Sequence, residues 1–186
     1  AEGTVEGTSI AVTGGGSTPS GKIKGKNGGV NALTQNGDIL IENLASVESG
    51  PSEGSVAETA IEALAYGGNI TIQNITDIVH TRGTGILAKT EMIDESNQPI
   101  VDGNISIQNV SLNANVSSDS IAFGSNGIDA STIFGSINIG ADPDVQNSEI
   151  GDIQFGANGI GIQTLTVSGY TNISTSGRIR SAVSDG

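Results

Sequence analysis

The sequence predicts an all-β protein, a right-handed parallel β-helix (β-solenoid) of about five or six rungs that forms a single domain over residues 1–186. Two observations lead to this fold. A two-part motif recurs four times along the chain, and its Ile and Val residues are spaced by two, as in strands with one buried face. The composition agrees, because Gly is abundant at 28 residues while aromatic residues make up only 3%.

The first motif reads Gly or Ala, then Ile or Val, then any residue, then Ala, and its copies begin at Gly29, Ala60, Gly85 and Gly127, with a fainter one at Gly159. The second reads Gly, a small polar residue, Ile, any residue and Ile, and its copies begin at Gly37, Gly68, Gly103 and Gly135. Three copies of the second motif start eight residues after the first motif. The repeat length lies in the range of about 20–45 residues found in solenoids.

One repeat is longer than the others, which indicates an inserted loop at about residues 91–100. Long loops inserted into a solenoid project from its body and often bind other molecules. This loop combines apolar and acidic side chains, so we interpret it as a possible partner-contact loop; the residues concerned are Met92, Ile93, Asp94, Glu95 and Ile100. The alternative is a surface loop that the fold accommodates and that has no binding role.

Stacking of the repeats would bury the narrow apolar face that each strand carries. We expect Ile39, Ile70, Ile105 and Ile137 to form one interior column, and Ile41, Ile72, Ile107 and Ile139 the next. The Gly before each strand is expected to adopt positive φ at a corner. Three asparagines that follow the second motif are expected to stack as a structural ladder with amide bonds between rungs: Asn43, Asn74 and Asn109.

Charge and composition exclude several functions. The formal net charge of −13 argues against nucleic acid as a partner, because phosphates would be repelled. The chain has no Cys, which excludes disulfides, Cys-ligated zinc and thiol catalysis. No apolar run is long enough for membrane insertion of this segment. The sequence indicates no cofactor.

The segments that begin at Gly29 and Ala60 resemble rungs of bacterial autotransporter passenger domains and of filamentous-haemagglutinin-type adhesins. There, Gly-Ile-x-Ala followed by Gly-Asn-Ile-x-Ile-x-Asn recurs along a secreted β-helix. The resemblance covers roughly residues 29–140. It implies an extracellular or bacterial outer-membrane location and a role in cell adhesion, with a host or cell-surface protein or glycan as partner.

Catalytic chemistry has little support in the sequence. His80 is the one His, and we expect it to be exposed at a strand end. Asp142-Pro143-Asp144 reads as an acidic turn rather than a metal site, so we predict no catalytic and no metal residues. The alternatives are a carbohydrate-processing enzyme, for which Asp94 and Glu95 would be the carboxylates to test, and a phage tail-spike segment.

Neither terminus shows helical periodicity that would cap an end rung. We therefore expect either a fragment of a longer rod or copies of the chain stacked end to end as a filament, and a cap without helical periodicity is the remaining alternative. The favoured function is an extracellular structural or adhesive module without catalysis.

Overall fold

A computed structural model describes residues 2–6, 9–16, 18–25, 28–49, 59–80, 83–90, 103–114, 126–140, 149–155 and 159–181. Every regular element in these ranges is a strand, and every strand pairing is parallel, which confirms the all-β prediction. The strands are β1 Glu2–Glu6, β2 Ile10–Thr13, β3 Ser20–Gly25, β4 Val30–Gln35, β5 Ile39–Ser49, β6 Ile61–Tyr66, β7 Ile70–His80, β8 Ile86–Lys89, β9 Ile105–Ala114, β10 Ile128–Thr132, β11 Ile137–Ile139, β12 Ile153–Phe155, β13 Ile162–Thr166, β14 Thr171–Ile173 and β15 Ile179–Ser181.

The strands form three stacks, in which each strand pairs with the equivalent strand of the next repeat. Stack one is the order β1-β4-β6-β8-β10-β13. Stack two contains β2, the first halves of β5, β7 and β9, then β11 and β14. Stack three contains β3, the second halves of β5, β7 and β9, then β12 and β15.

Isoleucine columns run through the core along stack two. Ile39 pairs with Ile70, Ile70 with Ile105 and Ile105 with Ile137, and all four are buried, so this predicted column is confirmed. The second predicted column is confirmed in the same way; it consists of Ile41, Ile72, Ile107 and Ile139. Burial of each such side chain stabilises the fold by about 1.5–3 kcal/mol before entropic costs.

The first-motif alanines form the matching inner column of stack one. Ala32, Ala63, Ala88 and Ala130 are aligned by the strand register and are almost completely buried. The methyl group of Ala occupies less of the interior than an isoleucine side chain does, so the inner column of stack one is the narrower one. The apolar residues of all three stacks belong to one core cluster.

The prediction that the Gly before each strand adopts positive φ was wrong for the second motif. The positive-φ residues do not include Gly68, Gly103 or Gly135. Glycine is required there because a Cβ on each would overlap the carbonyl oxygen of the equivalent glycine one repeat earlier, starting with Gly37. Close stacking of the main chain therefore selects glycine at this corner, which lies between stacks one and two.

At the corner between stacks one and two, positive φ occurs one residue earlier, at Asn36 and Gly67, and it recurs at the bend between stacks two and three. Asn43, Asn74 and Asn109 have φ values of 57°, 55° and 47°. Asn tolerates this left-handed conformation better than other non-Gly residues. Each of these residues lies inside a long strand, and the chain changes stack at that point.

Candidate functional site

A polar column runs along the outside of stack two, where the strands begin. Its members are the small polar residues of the second motif, with one residue at either end; in stacking order they are Ser9, Asp38, Asn69, Asn104, Ser136 and Tyr170. We call this set the polar column. The sequence contained the signal for it, because the second motif has a small polar residue after its Gly, but no site was predicted from that residue.

Side chains of the polar column hold the main chain of the next repeat. Asp38 Oδ1 accepts a hydrogen bond from the Asn69 backbone N–H at 2.8 Å. Asn69 Oδ1 accepts from the Asn104 N–H at 2.9 Å, and Asn104 Oδ1 from the Ser136 N–H at 2.9 Å. The side chains of Asp38, Asn69 and Asn104 are therefore each held by a hydrogen bond to the main chain of the next repeat.

The polar column borders an open groove of about 640 Å³. The groove extends from Ser9 to Asn104 and is also lined by the outward residues of the adjoining strands, which are Ala11, Leu40, Thr71 and Ser106. Of the described residues that line it, none is cationic and Asp38 is the one carboxylate. The surface is therefore mostly neutral, with amide and hydroxyl groups beside a few methyl groups.

The structure places the three predicted ladder asparagines one above another. Asn74 Nδ2 donates to Asn43 Oδ1 at 3.2 Å, and Asn109 Nδ2 donates to Asn74 Oδ1 at 2.9 Å. The ladder lies at the bend between stacks two and three, so it supports the corner rather than the groove.

The predicted contact loop lies outside the described residues, so the placement of Met92, Ile93, Asp94, Glu95 and Ile100 stays a prediction. The residues on either side of it are described. Thr90 Oγ1 donates to the Gly103 carbonyl oxygen at 3.0 Å. The chain therefore leaves stack one after β8 and enters stack two before β9 at the same corner between these two stacks.

His80 is buried, so the expectation of an exposed strand-end His was wrong. Its Nδ1 lies 3.0 Å from the Gly83 carbonyl oxygen and its Nε2 lies 3.0 Å from the Gln154 carbonyl oxygen. Burial lowers the pKa of His80, although both carbonyl contacts act in the opposite direction. The ring joins the end of β7 to β12, which makes it a core residue of stack three.

No cluster of three or more potential metal ligands occurs in the described part of the chain. Asp142 and Asp144 lie outside it, as do Asp94 and Glu95. Within the same ranges, no helix has the length and apolar character needed to cross a membrane.

Exposed apolar side chains concentrate in the last described repeat, residues 159–181. Ile173 pairs with Ile139, and Ile179 pairs with Ile153, so both belong to inner columns whose earlier members are buried. They are 48% and 47% exposed respectively. The described residues place no further strand over this layer.

Comparisons with protein-family models, with curated proteins and with solved structures found no match.

Proposed function

We propose that this chain is a non-catalytic structural or adhesive module of the extracellular or bacterial outer-membrane surface, built as a right-handed parallel β-helix. In this proposal the three stacks are the three faces of the solenoid, and each repeat is one rung. Parallel stacking in register and a shared core support it. A rod of this kind presents long, regular outer surfaces to a partner.

The observation that carries the proposal is that outward polar side chains form hydrogen bonds within the protein. They bond from repeat to repeat, as in the polar column and the ladder of Asn43, Asn74 and Asn109. Catalysis requires groups of different chemistry that converge on one reacting atom. Ladders of like groups rigidify a scaffold instead, so they favour a structural or adhesive role.

Charge on stack three favours binding to a different partner over stacking of identical copies. Lys22 and Lys24 lie on β3, and Arg178 and Arg180 lie on or beside β15, at opposite ends of this stack. Head-to-tail stacking would bring β15 of one copy beside β3 of the next. Like charges directly opposite each other on adjacent strands destabilise a sheet. Ion pairs of Lys24 with Glu48 and of Arg180 with Asp152 offset part of this repulsion.

Binding of the purified, fluorescently labelled chain to host and bacterial cells tests the adhesive role. We expect saturable binding that an excess of unlabelled chain displaces. A screen of acidic and neutral polysaccharides for cleavage runs in parallel. Turnover that is abolished by substitution of Asp94 or Glu95 would overturn the proposal in favour of an enzyme.

Sedimentation velocity at low and high salt tests the stacking alternative. If copies stack head to tail through β3 and β15, salt will screen the like charges and association will increase with ionic strength. A concentration-independent monomer under both conditions, together with cell binding, supports the adhesive module.

A further inference from the structure

We propose that the groove beside the polar column binds a neutral, hydroxyl-rich glycan chain that lies along the stacking axis. This inference rests on the proposed adhesive function and names the class of partner for it. The groove extends across four successive repeats, from Ser9 through Asp38 and Asn69 to Asn104. A ligand that fills it is therefore elongated in the direction in which the repeats stack.

Recognition in this groove depends on side chains, because the backbone of its floor is already paired. The first halves of β5 and β7 lie between two neighbouring strands of stack two. Their N–H and C=O groups are used in the sheet, so a peptide cannot add there as an extra strand. Amide and hydroxyl side chains remain, and these match the hydroxyl groups of a sugar.

The regular spacing of the polar groups suits a polymer. Equivalent side chains in successive repeats are separated by the strand spacing of about 4.8 Å. One unit of an extended sugar chain advances by a similar length, so successive units meet equivalent positions in successive repeats. The interlocked polar column also reduces the conformational entropy lost on binding, because Asp38, Asn69 and Asn104 are already ordered.

Charge selects a neutral glycan over an acidic one. The described lining has the carboxylate of Asp38 and no cation, and the whole chain has a formal net charge of −13. A polyanionic glycan would be repelled by both. A neutral chain can donate its hydroxyl hydrogens to Asp38 without this penalty.

An aromatic ring stands at the far end of the polar column. The Ile137 N–H donates to the Tyr170 carbonyl oxygen, which repeats the pattern of the Ile105 N–H and the Ser136 carbonyl oxygen. Tyr170 is 57% exposed. An exposed ring offers an apolar face and a hydroxyl group to a sugar unit. A glycan that is longer than the groove and continues along the column past Ser136 comes to the position of Tyr170.

Three variants test the inference. Thr71→Arg places a bulky cation on the groove floor, and Tyr170→Ala removes the ring. Asn31→Arg is the matched control, because Asn31 is an exposed outward residue of stack one and the charge change equals that of Thr71→Arg. Circular dichroism establishes that each variant keeps the β-fold. Binding is measured on an array of neutral and anionic glycans, and by calorimetry with the trisaccharide and hexasaccharide of the best neutral series.

We expect the wild type and Asn31→Arg to bind neutral glycans equally, and Thr71→Arg to lose at least about tenfold in affinity, which corresponds to about 1.4 kcal/mol. Tyr170→Ala should weaken the hexasaccharide about tenfold and leave the trisaccharide unchanged. Preference for anionic glycans, or binding that Thr71→Arg leaves intact, overturns the inference. Cell binding without any neutral-glycan binding overturns it while the adhesive function stands; loss of both overturns both.

Discussion

Replacement of Asn74 separates the two contributions that this residue makes to the bend between stacks two and three. Its side chain donates to Asn43 and accepts from Asn109, and its backbone has a φ of 55°. Asn74→Ala removes both hydrogen bonds. It also leaves the backbone in the left-handed region with a side chain that, unlike that of Asn, forms no local hydrogen bonds there. Asn74→Gly removes the same hydrogen bonds but relieves the backbone.

The magnitudes follow from these contacts. Each ladder hydrogen bond contributes about 0.5–1.5 kcal/mol net, and because one bond is partly buried and the other is exposed we use the lower half of that range. The left-handed conformation costs about 1–2 kcal/mol for a residue such as Ala. We therefore expect Asn74→Ala to destabilise the fold by about 2–4 kcal/mol. Asn74→Gly should be about 1 kcal/mol less destabilising, since the greater chain entropy of Gly offsets part of the relief.

Urea unfolding followed by far-ultraviolet circular dichroism measures the difference. Thr71→Ala is the control, because it changes an outward residue of the same strand that has no positive φ, and it should shift stability by less than about 0.5 kcal/mol. Equal stability of the Ala and Gly variants would refute the backbone argument. Wild-type stability in both would refute the ladder as well.

Three further predictions concern the corner, the buried histidine and the excursion. Gly103→Ala should cost about 3 kcal/mol or prevent folding, because its Cβ would overlap the Gly68 carbonyl oxygen; an unchanged urea midpoint contradicts this. His80 has a lowered pKa, so the unfolded chain binds the extra proton first and stability should fall below about pH 6.5 with a slope of up to about 1.4 kcal/mol per pH unit; a His80→Asn variant that keeps the same pH profile contradicts this. Replacement of residues 91–102 by Gln-Asn should preserve the circular dichroism spectrum and thermal midpoint, whereas loss of the fold would show that the excursion is part of the core.

The inner columns of stacks one and two could be predicted because their signal is local. Two isoleucines spaced by two define the buried face of a strand, and a constant Gly sets the register between repeats. Stack three had no such signal. The bend at Asn43 or Asn74 resets the alternation, so the next buried positions are Leu44 and Ile75, directly after the asparagine. The register between β7 and β9 also shifts between Ile75 and Ile78, which removes a constant spacing from this part of the motif.

The errors arose where distant parts of the chain meet. His80 contacts Gln154, which is 74 residues later, so no local pattern could indicate that the ring would be buried. The role of Gly103 depends on a carbonyl oxygen in the preceding repeat, which sequence spacing does not show. The groove combines residues from four repeats, and the sequence supplied its polar residues but not their common outward face.

The corner between stacks one and two explains why one repeat can be longer without loss of register. Thr34 Oγ1 donates to the carbonyl oxygen of Gly37, which is 3 residues later, and Thr90 Oγ1 donates to the carbonyl oxygen of Gly103, which is 13 residues later. These two corners are therefore held by the same type of hydrogen bond although their connections differ in length, whereas Ala65, at the equivalent position of the repeat between them, has no hydroxyl group. Lengthening that connection costs only about 0.6 kcal/mol per doubling in loop entropy. Growth of the connection from two to twelve residues therefore costs about 1.6 kcal/mol, which is small beside the summed contributions of the buried isoleucines, so the core sets the register and the length of the connection can vary.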